Sequence, residues 1–172
     1  GVTIAVAAPA CAGFPVTHRD CTSSVHIITA HARAGKPLQI DYDALVRLDG
    51  TLVFLMGLTA LEQVTYGLLC AGMPSDLPSA VIENGARGTQ RKVVCGLSDL
   101  AANVRAAGLQ SPALIVDGQA CAPSDPPAWF PPRPRHGQTI VVTRPHARPG
   151  PPPHTPRPIG ATVSPAPCNP QR

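Results

Sequence analysis

Short apolar runs alternate with amphipathic segments over the first 122 residues of the chain. The runs are rich in β-branched residues and end at glycine or polar residues, a pattern typical of β-strands. They occupy 24–31, 51–57, 79–85, 91–96 and 112–118. Segments 41–48, 59–72 and 97–108 carry apolar residues at helical spacing. Strands that alternate with helices predict an α/β fold of about five strands with flanking helices.

Turn and capping residues mark the ends of the predicted helices. Gly72 and Gly108 stand where a glycine ends a helix in the left-handed conformation. Ser98 is expected to be the N-cap of the last helix. The opening segment, GVTIAVAAPACAG, is predicted to be a helix because alanine is the strongest helix former.

The composition changes near residue 123. The stretches PSDPPAWFPPRPR and RPHARPGPPPHTPRP hold most of the 22 prolines, and proline lacks the backbone donor that helices and central strands need. We therefore expect an α/β domain over 1–122. The proline-rich tail over 123–172 is expected to be largely extended or disordered.

Composition and charge argue against several functional classes. Charged residues make up 14% of the chain and aromatic residues 3%, so its core must consist mainly of aliphatic side chains. The net charge of +4 comes largely from arginines near the C-terminus, without the interleaved aromatic residues that single-stranded nucleic acid requires. The longest apolar runs fall far short of the roughly 20 residues of a membrane helix. We expect neither a nucleic-acid nor a membrane partner.

The cysteines and the first residues bear on the cellular location. The six cysteines form no CxxC pair and lie mostly inside apolar stretches, which favours buried thiols in a reducing compartment. The chain begins with glycine and lacks the basic flank of a signal peptide. We expect a cytoplasmic protein whose natural beginning has been removed.

Two polar segments invite a site interpretation that their spacing does not favour. His18, Cys21, His26 and His31 fit no usual zinc pattern, and the two histidines on the predicted strand would face opposite sides. The segment ENGARGTQRK contains neither GxxxxGK[ST] nor GxGxxG. A hairpin with solvated Arg91 and Lys92 is therefore preferred to a phosphate-binding loop.

Several motifs occur in the order and spacing of a known family. The stretches GVTIAVAAPACAGFPVTHRDCTSSVHIITAH, DALVRLDGTLVFLMGL, GMPSDLPSAVIENGARGTQRKVVCGLSDLA and SPALIVDGQ resemble the C-terminal half of uroporphyrinogen-III C-methyltransferases, in the tetrapyrrole methylase family. The resemblance covers about residues 1–130. It implies that the chain is one α/β domain of a two-domain enzyme. The enzyme would methylate uroporphyrinogen III to precorrin-2 with S-adenosylmethionine as the methyl donor, and it would be a homodimer when complete.

The resemblance also implies which residues contact each ligand. The positions that match donor-binding residues of the family are Thr3, Ile4, Met56 and Gly85. The resemblance also implies that no metal is needed and that the 112–118 strand borders the adenine. A lone apolar residue such as Met56 more often belongs to a core. Arg19 would bind a carboxylate of uroporphyrinogen III, oriented by Asp20. The alternative is an Arg19–Asp20 ion pair that ties the loop to the neighbouring strand.

The chain departs from the family pattern in several places. Where the family commonly has a small residue this chain has Ile4, and where tyrosine is common it has Cys11. Gly88 stands in place of a proline, and Asp117 stands in place of an apolar residue. A carboxylate such as Asp117 at the end of a buried strand is costly unless paired.

Other features limit what the chain can do by itself. The family's Gly-rich donor loop occurs nowhere in the sequence, so we expect this part to be inactive alone. A non-catalytic α/β interaction or dimerisation domain is the alternative function. In the tail, HGQTIVVTRPHARPG and IGATVSPAPC resemble the opening strands of uroporphyrinogen-III synthase, with PPPHTPRP in place of the intervening helix. The tail thus resembles a truncated start of that synthase.

Overall fold

The computed structural model describes residues 1–32, 37–122, 137–145 and 162–168. The chain divides into two units, Gly1–Ala86 with Gln90–Phe130 and Arg87–Thr89 with Pro131–Arg172. The helices of the first unit are α1 (Ile4–Ala12), α2 (Tyr42–Leu48), α3 (Leu61–Cys70) and α4 (Leu100–Ala107). Its strands are β1 (Val25–Thr29), β2 (Thr51–Leu55), β3 (Pro78–Glu83), β4 (Arg91–Gly96) and β5 (Ala113–Asp117).

The five strands form one mixed sheet in the order β1-β2-β5-β3-β4. The β1–β2 pair is parallel, whereas β5 is antiparallel to both of its neighbours and β4 is antiparallel to β3. Strands β1, β2 and β3 therefore point one way, and β4 and β5 point the other way. The predicted α/β fold with five strands and flanking helices is confirmed.

Helices cover both faces of the sheet, and each face has its own apolar cluster. One cluster joins Leu52 and Phe54 of β2 to buried leucines and valines of α3 and α4. The other joins Val53 to the buried alanines of α1. A strand that is buried on both faces needs a continuous apolar run, which explains the sequence TLVFL at 51–55.

Local signals placed most helix ends correctly. The alanine-rich opening segment forms α1, and Gly108 ends α4 in the left-handed conformation at φ 62°. Gly72, also left-handed at φ 95°, follows the α3 cap residue Ala71 by one position. The prediction for Ser98 is wrong, because Ser98 lies within a 3-10 turn and Asp99 occupies the N-cap position without a side-chain capping bond.

Beyond residue 130, the described part of the second unit contains a parallel pair of strands, β6 (Thr139–Pro145) and β7 (Thr162–Cys168). These are the two tail segments predicted to resemble the opening strands of the synthase. The remaining parts of the predicted tail, 123–136, 146–161 and 169–172, lie outside the described residues.

Candidate functional site at the carboxyl edge of the sheet

The strand directions bring two predicted site segments to one edge of the sheet. Met56 directly follows β2, and residues 84–86 directly follow β3. Because β2 and β3 point the same way, both segments lie where these strands end, beside the first residues of β5. We call this the carboxyl edge, defined by Met56 and the 84–86 turn.

Backbone strain is concentrated at the carboxyl edge. Of the four non-glycine residues with positive φ among the described residues, three lie here: Met56 at 56°, Asn84 at 51° and Ala86 at 62°. The left-handed region is costly for residues with a Cβ atom and persists only where the surrounding structure imposes it. Such strain occurs preferentially in ligand-binding segments.

Helix α1 packs directly on the 84–86 turn. A Cβ atom on Gly85 would lie 3.3 Å from Ala8 Cα, would overlap the Ala8 Cβ and would lie 3.5 Å from Ile4 Cδ1. Thr3 immediately precedes the helix as its N-cap, and its Oγ1 accepts a hydrogen bond from Ala5 N at 3.4 Å. The packing of α1 thus requires glycine at position 85, independently of any ligand.

Apolar side chains remain exposed around this edge. Val2 is 76% exposed, Met56 59% and Ile4 42%. The interpretation of Met56 as a core residue is therefore wrong. Thr3, Ile4 and Gly85 are neighbours, and Met56 shares their edge of the sheet. Exposed apolar side chains of this kind are suited to contact with a ligand or another domain.

Hydrogen bonds from outside the turn fix its backbone. Asn84 N donates to Pro112 O at 2.9 Å, and Ala86 N donates to Gln90 Oε1 at 2.8 Å. Pro112 directly precedes β5, so the amino end of this strand borders the carboxyl edge.

The hairpin predicted over 79–96 is confirmed, because β3 and β4 are antiparallel neighbours. Arg91 and Lys92 are exposed to solvent, as predicted, and each also contacts a neighbouring element. Arg91 Nη1 lies 3.3 Å from Glu83 Oε2, and Arg91 Nη2 donates to Ala107 O. Lys92 Nζ donates to Ala12 O at 2.5 Å and lies 5.8 Å from the centroid of the Phe14 ring.

Arg19 lies away from these residues. It is exposed at the tip of a turn in which His18 and Thr22 form an antiparallel bridge. This turn leads into the first residue of β1, toward the sheet edge opposite the carboxyl edge. The two edges are separated by the length of a five-residue strand, about 17 Å. Asp20 Oδ2 lies 3.7 Å from His18 Nδ1, and among the described ion pairs it has no contact with Arg19.

Asp117, the carboxylate that departs from the family pattern, is fully buried at the end of β5. Neither of its carboxyl oxygens has a hydrogen-bond partner among the described residues. Ser79 pairs with Asp117 across the sheet, but its hydroxyl donates to Leu77 O at 3.2 Å. Burial raises the pKa of Asp117 to about 7, an effect that Ser79 partly opposes.

Burial disfavours deprotonation of the Cys121 thiol, which lies at the edge opposite the carboxyl edge. Cys121 is 1% exposed, and burial, together with Asp117 and Cys21, raises the pKa of its thiol. Free cysteines of the described part include Cys11, Cys21, Cys70, Cys95 and Cys121. Across the ranges that the structure describes, no three His, Cys, Asp or Glu side chains are grouped so as to hold a metal ion.

A cavity of about 450 Å³ lies between α3 and α4, lined by residues from 58–62 and 101–109. This volume suits a small ligand. The cavity is on the face of the sheet opposite α1, and none of the predicted site residues lines it. In the part of the chain described here, no helix is both long and apolar enough to span a bilayer.

Curated proteins similar to this chain are named for tetrapyrrole biosynthesis. The chain is 44% identical over 168 residues to the porphyrin biosynthesis protein HemD of Ruminiclostridium josui, covering 98% of this chain and 33% of that protein. It is 42% identical over 119 residues to the siroheme synthase of Gluconacetobacter diazotrophicus, covering 69% and 25%. The chain thus spans a third or less of these relatives.

Solved structures share the fold. A cobalt precorrin-4 methyltransferase of cobalamin biosynthesis is similar with a TM-score of 0.64 and 27% identity, covering 72% of this chain and 52% of the other. The uroporphyrin-III C-methyltransferase of Thermus thermophilus complexed with S-adenosylhomocysteine gives a TM-score of 0.59 and 25% identity, covering 71% and 50%. The family model described as Tetrapyrrole (Corrin/Porphyrin) Methylases matches residues 1–101, more than half of the chain. The chain therefore belongs to the tetrapyrrole methylase family.

Proposed function

We propose that the chain is the C-terminal half of an S-adenosylmethionine-dependent uroporphyrinogen-III C-methyltransferase. The observation that carries the proposal is the carboxyl edge, where the exposed side chains of Ile4 and Met56 lie beside strained backbone. Family membership and the similarity to a methyltransferase that was solved with S-adenosylhomocysteine support it.

The residues of this edge fit one wall of a donor site. Ile4 and Met56 offer apolar surface to the ligand, and Thr3 holds the start of α1. Gly85 contributes by letting α1 approach the turn, which leaves the turn's backbone for contact with the donor. When bound, S-adenosylmethionine supplies a sulfonium methyl group for displacement, and the protein's task is to position donor and acceptor.

Arg19 is proposed to bind a carboxylate of uroporphyrinogen III. Its support is chemical, because a guanidinium matches a carboxylate bidentately and Asp20 is paired with His18. Because Arg19 lies toward the opposite edge of the sheet, we propose that it binds a carboxylate arm of the acceptor that is remote from the donor.

The tail is proposed to be the start of a uroporphyrinogen-III synthase-like domain that follows a methylase domain over 1–122. The parallel pair of β6 and β7 supports this, since parallel neighbours require a crossover connection. The similarity to the porphyrin biosynthesis protein of R. josui also extends over 98% of the chain. We also propose that the complete enzyme is a homodimer and that it is cytoplasmic.

Calorimetry with S-adenosylhomocysteine tests the proposal. The chain alone should bind no tighter than about millimolar, or about 4 kcal/mol, because one wall leaves much of the ligand in water. A separately expressed N-terminal half of a related methyltransferase should restore tighter binding. Met56→Ala should weaken that restored binding. Leu48→Ala should not, because Leu48 is similarly exposed at 50% but lies on α2.

The outcomes distinguish this function from its alternative. Failure of the paired halves to bind S-adenosylhomocysteine, combined with self-association of the chain, would favour the non-catalytic interaction domain. Methylation of uroporphyrinogen III by this chain alone would show that the donor site needs no second half.

A further inference from the structure

We propose that Glu83 and Arg91 are positioning residues that hold the 84–86 turn in its ligand-binding conformation. The inference rests on the proposed function, because it assigns these two residues a role in donor binding at the carboxyl edge. Neither of them belongs to the predicted donor contacts, and each acts through the turn.

Glu83 is the last residue of β3 and directly precedes the turn. It is only 7% exposed, and its Oε1 accepts a hydrogen bond from Gln110 N at 3.2 Å. Its Oε2 lies 3.3 Å from Arg91 Nη1. A carboxylate this deeply buried needs a cationic partner, and Arg91 is its ion-pair partner among the described residues.

Arg91 connects three elements through one planar group. It is the first residue of β4 and stands directly opposite Glu83 in the β3–β4 ladder. While Nη1 faces Glu83, Nη2 donates to Ala107 O at the end of α4. A guanidinium presents its donors in a fixed fork, whereas a lysine ammonium is a point charge on a flexible stem. Lysine at this position would not hold both partners in this geometry.

The ion pair matters because the turn is strained. Asn84 and Ala86 are left-handed at 51° and 62°, a conformation that lasts only where the surroundings impose it. Glu83, the residue before Asn84, accepts a hydrogen bond from Gln110 N. Pro112 of the same segment accepts the hydrogen bond from Asn84 N. Without the guanidinium of Arg91, Glu83 and the segment that carries Gln110 and Pro112 become free to shift together.

Two conservative variants test this role. Arg91→Lys keeps the charge and removes the fork, and Glu83→Gln keeps an acceptor for Gln110 N and removes the negative charge. Arg105→Lys is the matched control, because Arg105 forms an ion pair with Glu62 in which both side chains are exposed. Urea unfolding of each variant establishes that it remains folded.

The first measurement uses this chain and needs no ligand. Amide hydrogen exchange of Asn84 and Ala86, both of which donate hydrogen bonds, should accelerate about tenfold or more in both variants. Arg91→Lys loses the charge-assisted hydrogen bond to Ala107 O, and Glu83→Gln loses the ion pair with Arg91. Exchange of Ile115 in the central strand β5 should accelerate by no more than the change in the free energy of unfolding measured with urea accounts for. Unchanged exchange at Asn84 and Ala86 would overturn the proposal.

The second measurement uses the chain paired with the N-terminal half described above. Affinity for S-adenosylhomocysteine should fall about tenfold in both variants and stay at the wild-type value in Arg105→Lys. If the variants show faster exchange but bind S-adenosylhomocysteine as tightly as wild type, the Glu83–Arg91 ion pair is purely structural and the positioning role is refuted. If the wild-type pair binds no S-adenosylhomocysteine, the proposed function fails. If the wild-type pair binds it and both variants bind it equally well, only the positioning role fails.

Discussion

A Cβ atom on Gly85 would overlap the Cβ atom of Ala8, so α1 lies on the 84–86 turn at a separation that only glycine permits. This contact joins the first helix of the chain to the end of β3. It also places Ile4, one helical turn before Ala8, beside the turn that we assign to donor binding.

Substituting Gly85 by alanine should therefore destabilise the first unit. We expect a loss of about 1–3 kcal/mol in the free energy of unfolding, the usual size for overpacking a tight contact. Urea unfolding monitored by circular dichroism measures it.

The compensating change is Ala8→Gly. By itself it should cost about 1 kcal/mol, because glycine is a poor helix former. Combined with Gly85→Ala it should recover part of the loss, since it removes the overlapping atom. Additive losses in the double variant would contradict the contact.

Asp117 should make stability depend on pH. Burial raises its pKa to about 7, against about 3.9 for an aspartate in an unfolded chain. Between these values the folded state holds a proton that the unfolded state has released. The free energy of unfolding should therefore fall as pH rises from about 4 to about 7, by on the order of 4 kcal/mol, and then level off.

Comparison with Asp117→Asn isolates this contribution. The variant should lack the fall, so its stability relative to wild type should increase steadily between about pH 4 and pH 7. Asp20→Asn is the control, because the Asp20 side chain is 78% exposed. A constant difference between wild type and Asp117→Asn over this range would refute the assignment.

Arg19→Ala should weaken binding of the acceptor and spare the donor. In the paired halves, affinity for uroporphyrinogen III should fall about tenfold or more, as expected for one charge-assisted hydrogen bond. Affinity for S-adenosylhomocysteine should stay unchanged, because Arg19 lies toward the opposite edge of the sheet. Both affinities are measurable by calorimetry under anaerobic conditions.

A second exposed arginine provides the control for that measurement. Arg47, in the last turn of α2, should tolerate substitution by alanine without loss of either ligand. Equal weakening of both ligands by Arg19→Ala would indicate a structural role for the turn.

A chain that ends at residue 122 should fold by itself. Both apolar clusters are built from residues that lie before this point, so its urea midpoint should match that of the whole chain. The proposed domain boundary predicts this result. A clearly lower midpoint would mean that residues beyond 122 stabilise the first unit.

Sequence patterns identified the elements because their signals are local. Every predicted strand and helix of the first unit is present, since β-branched runs and helical spacing depend only on near neighbours. The ends were less certain, as Ser98 shows: a 3-10 turn took the place of the expected cap. Motif resemblance supplied Thr3, Ile4, Met56 and Gly85, which periodicity alone does not single out.

The arrangement of these residues required the tertiary structure. Glu83 and Arg91 carry no sequence signal as a pair, because their meeting depends on the β3–β4 register and on where α4 ends. The separation of Arg19 from Met56 likewise depends on strand direction. Apolar pattern leaves direction open, since a strand buried on both faces has the same composition whether it runs parallel or antiparallel to its neighbours.

The sequence by itself determined the α/β class, the order of helices and strands, and the family, because these follow from local propensity and motif spacing. Only the tertiary structure decided that β5 lies between β2 and β3, that α1 rests on Gly85 and that Asp117 is buried with no hydrogen-bond partner among the described residues. Those features arise from contacts between residues far apart in the chain, and such contacts form only when the faces of the sheet are packed.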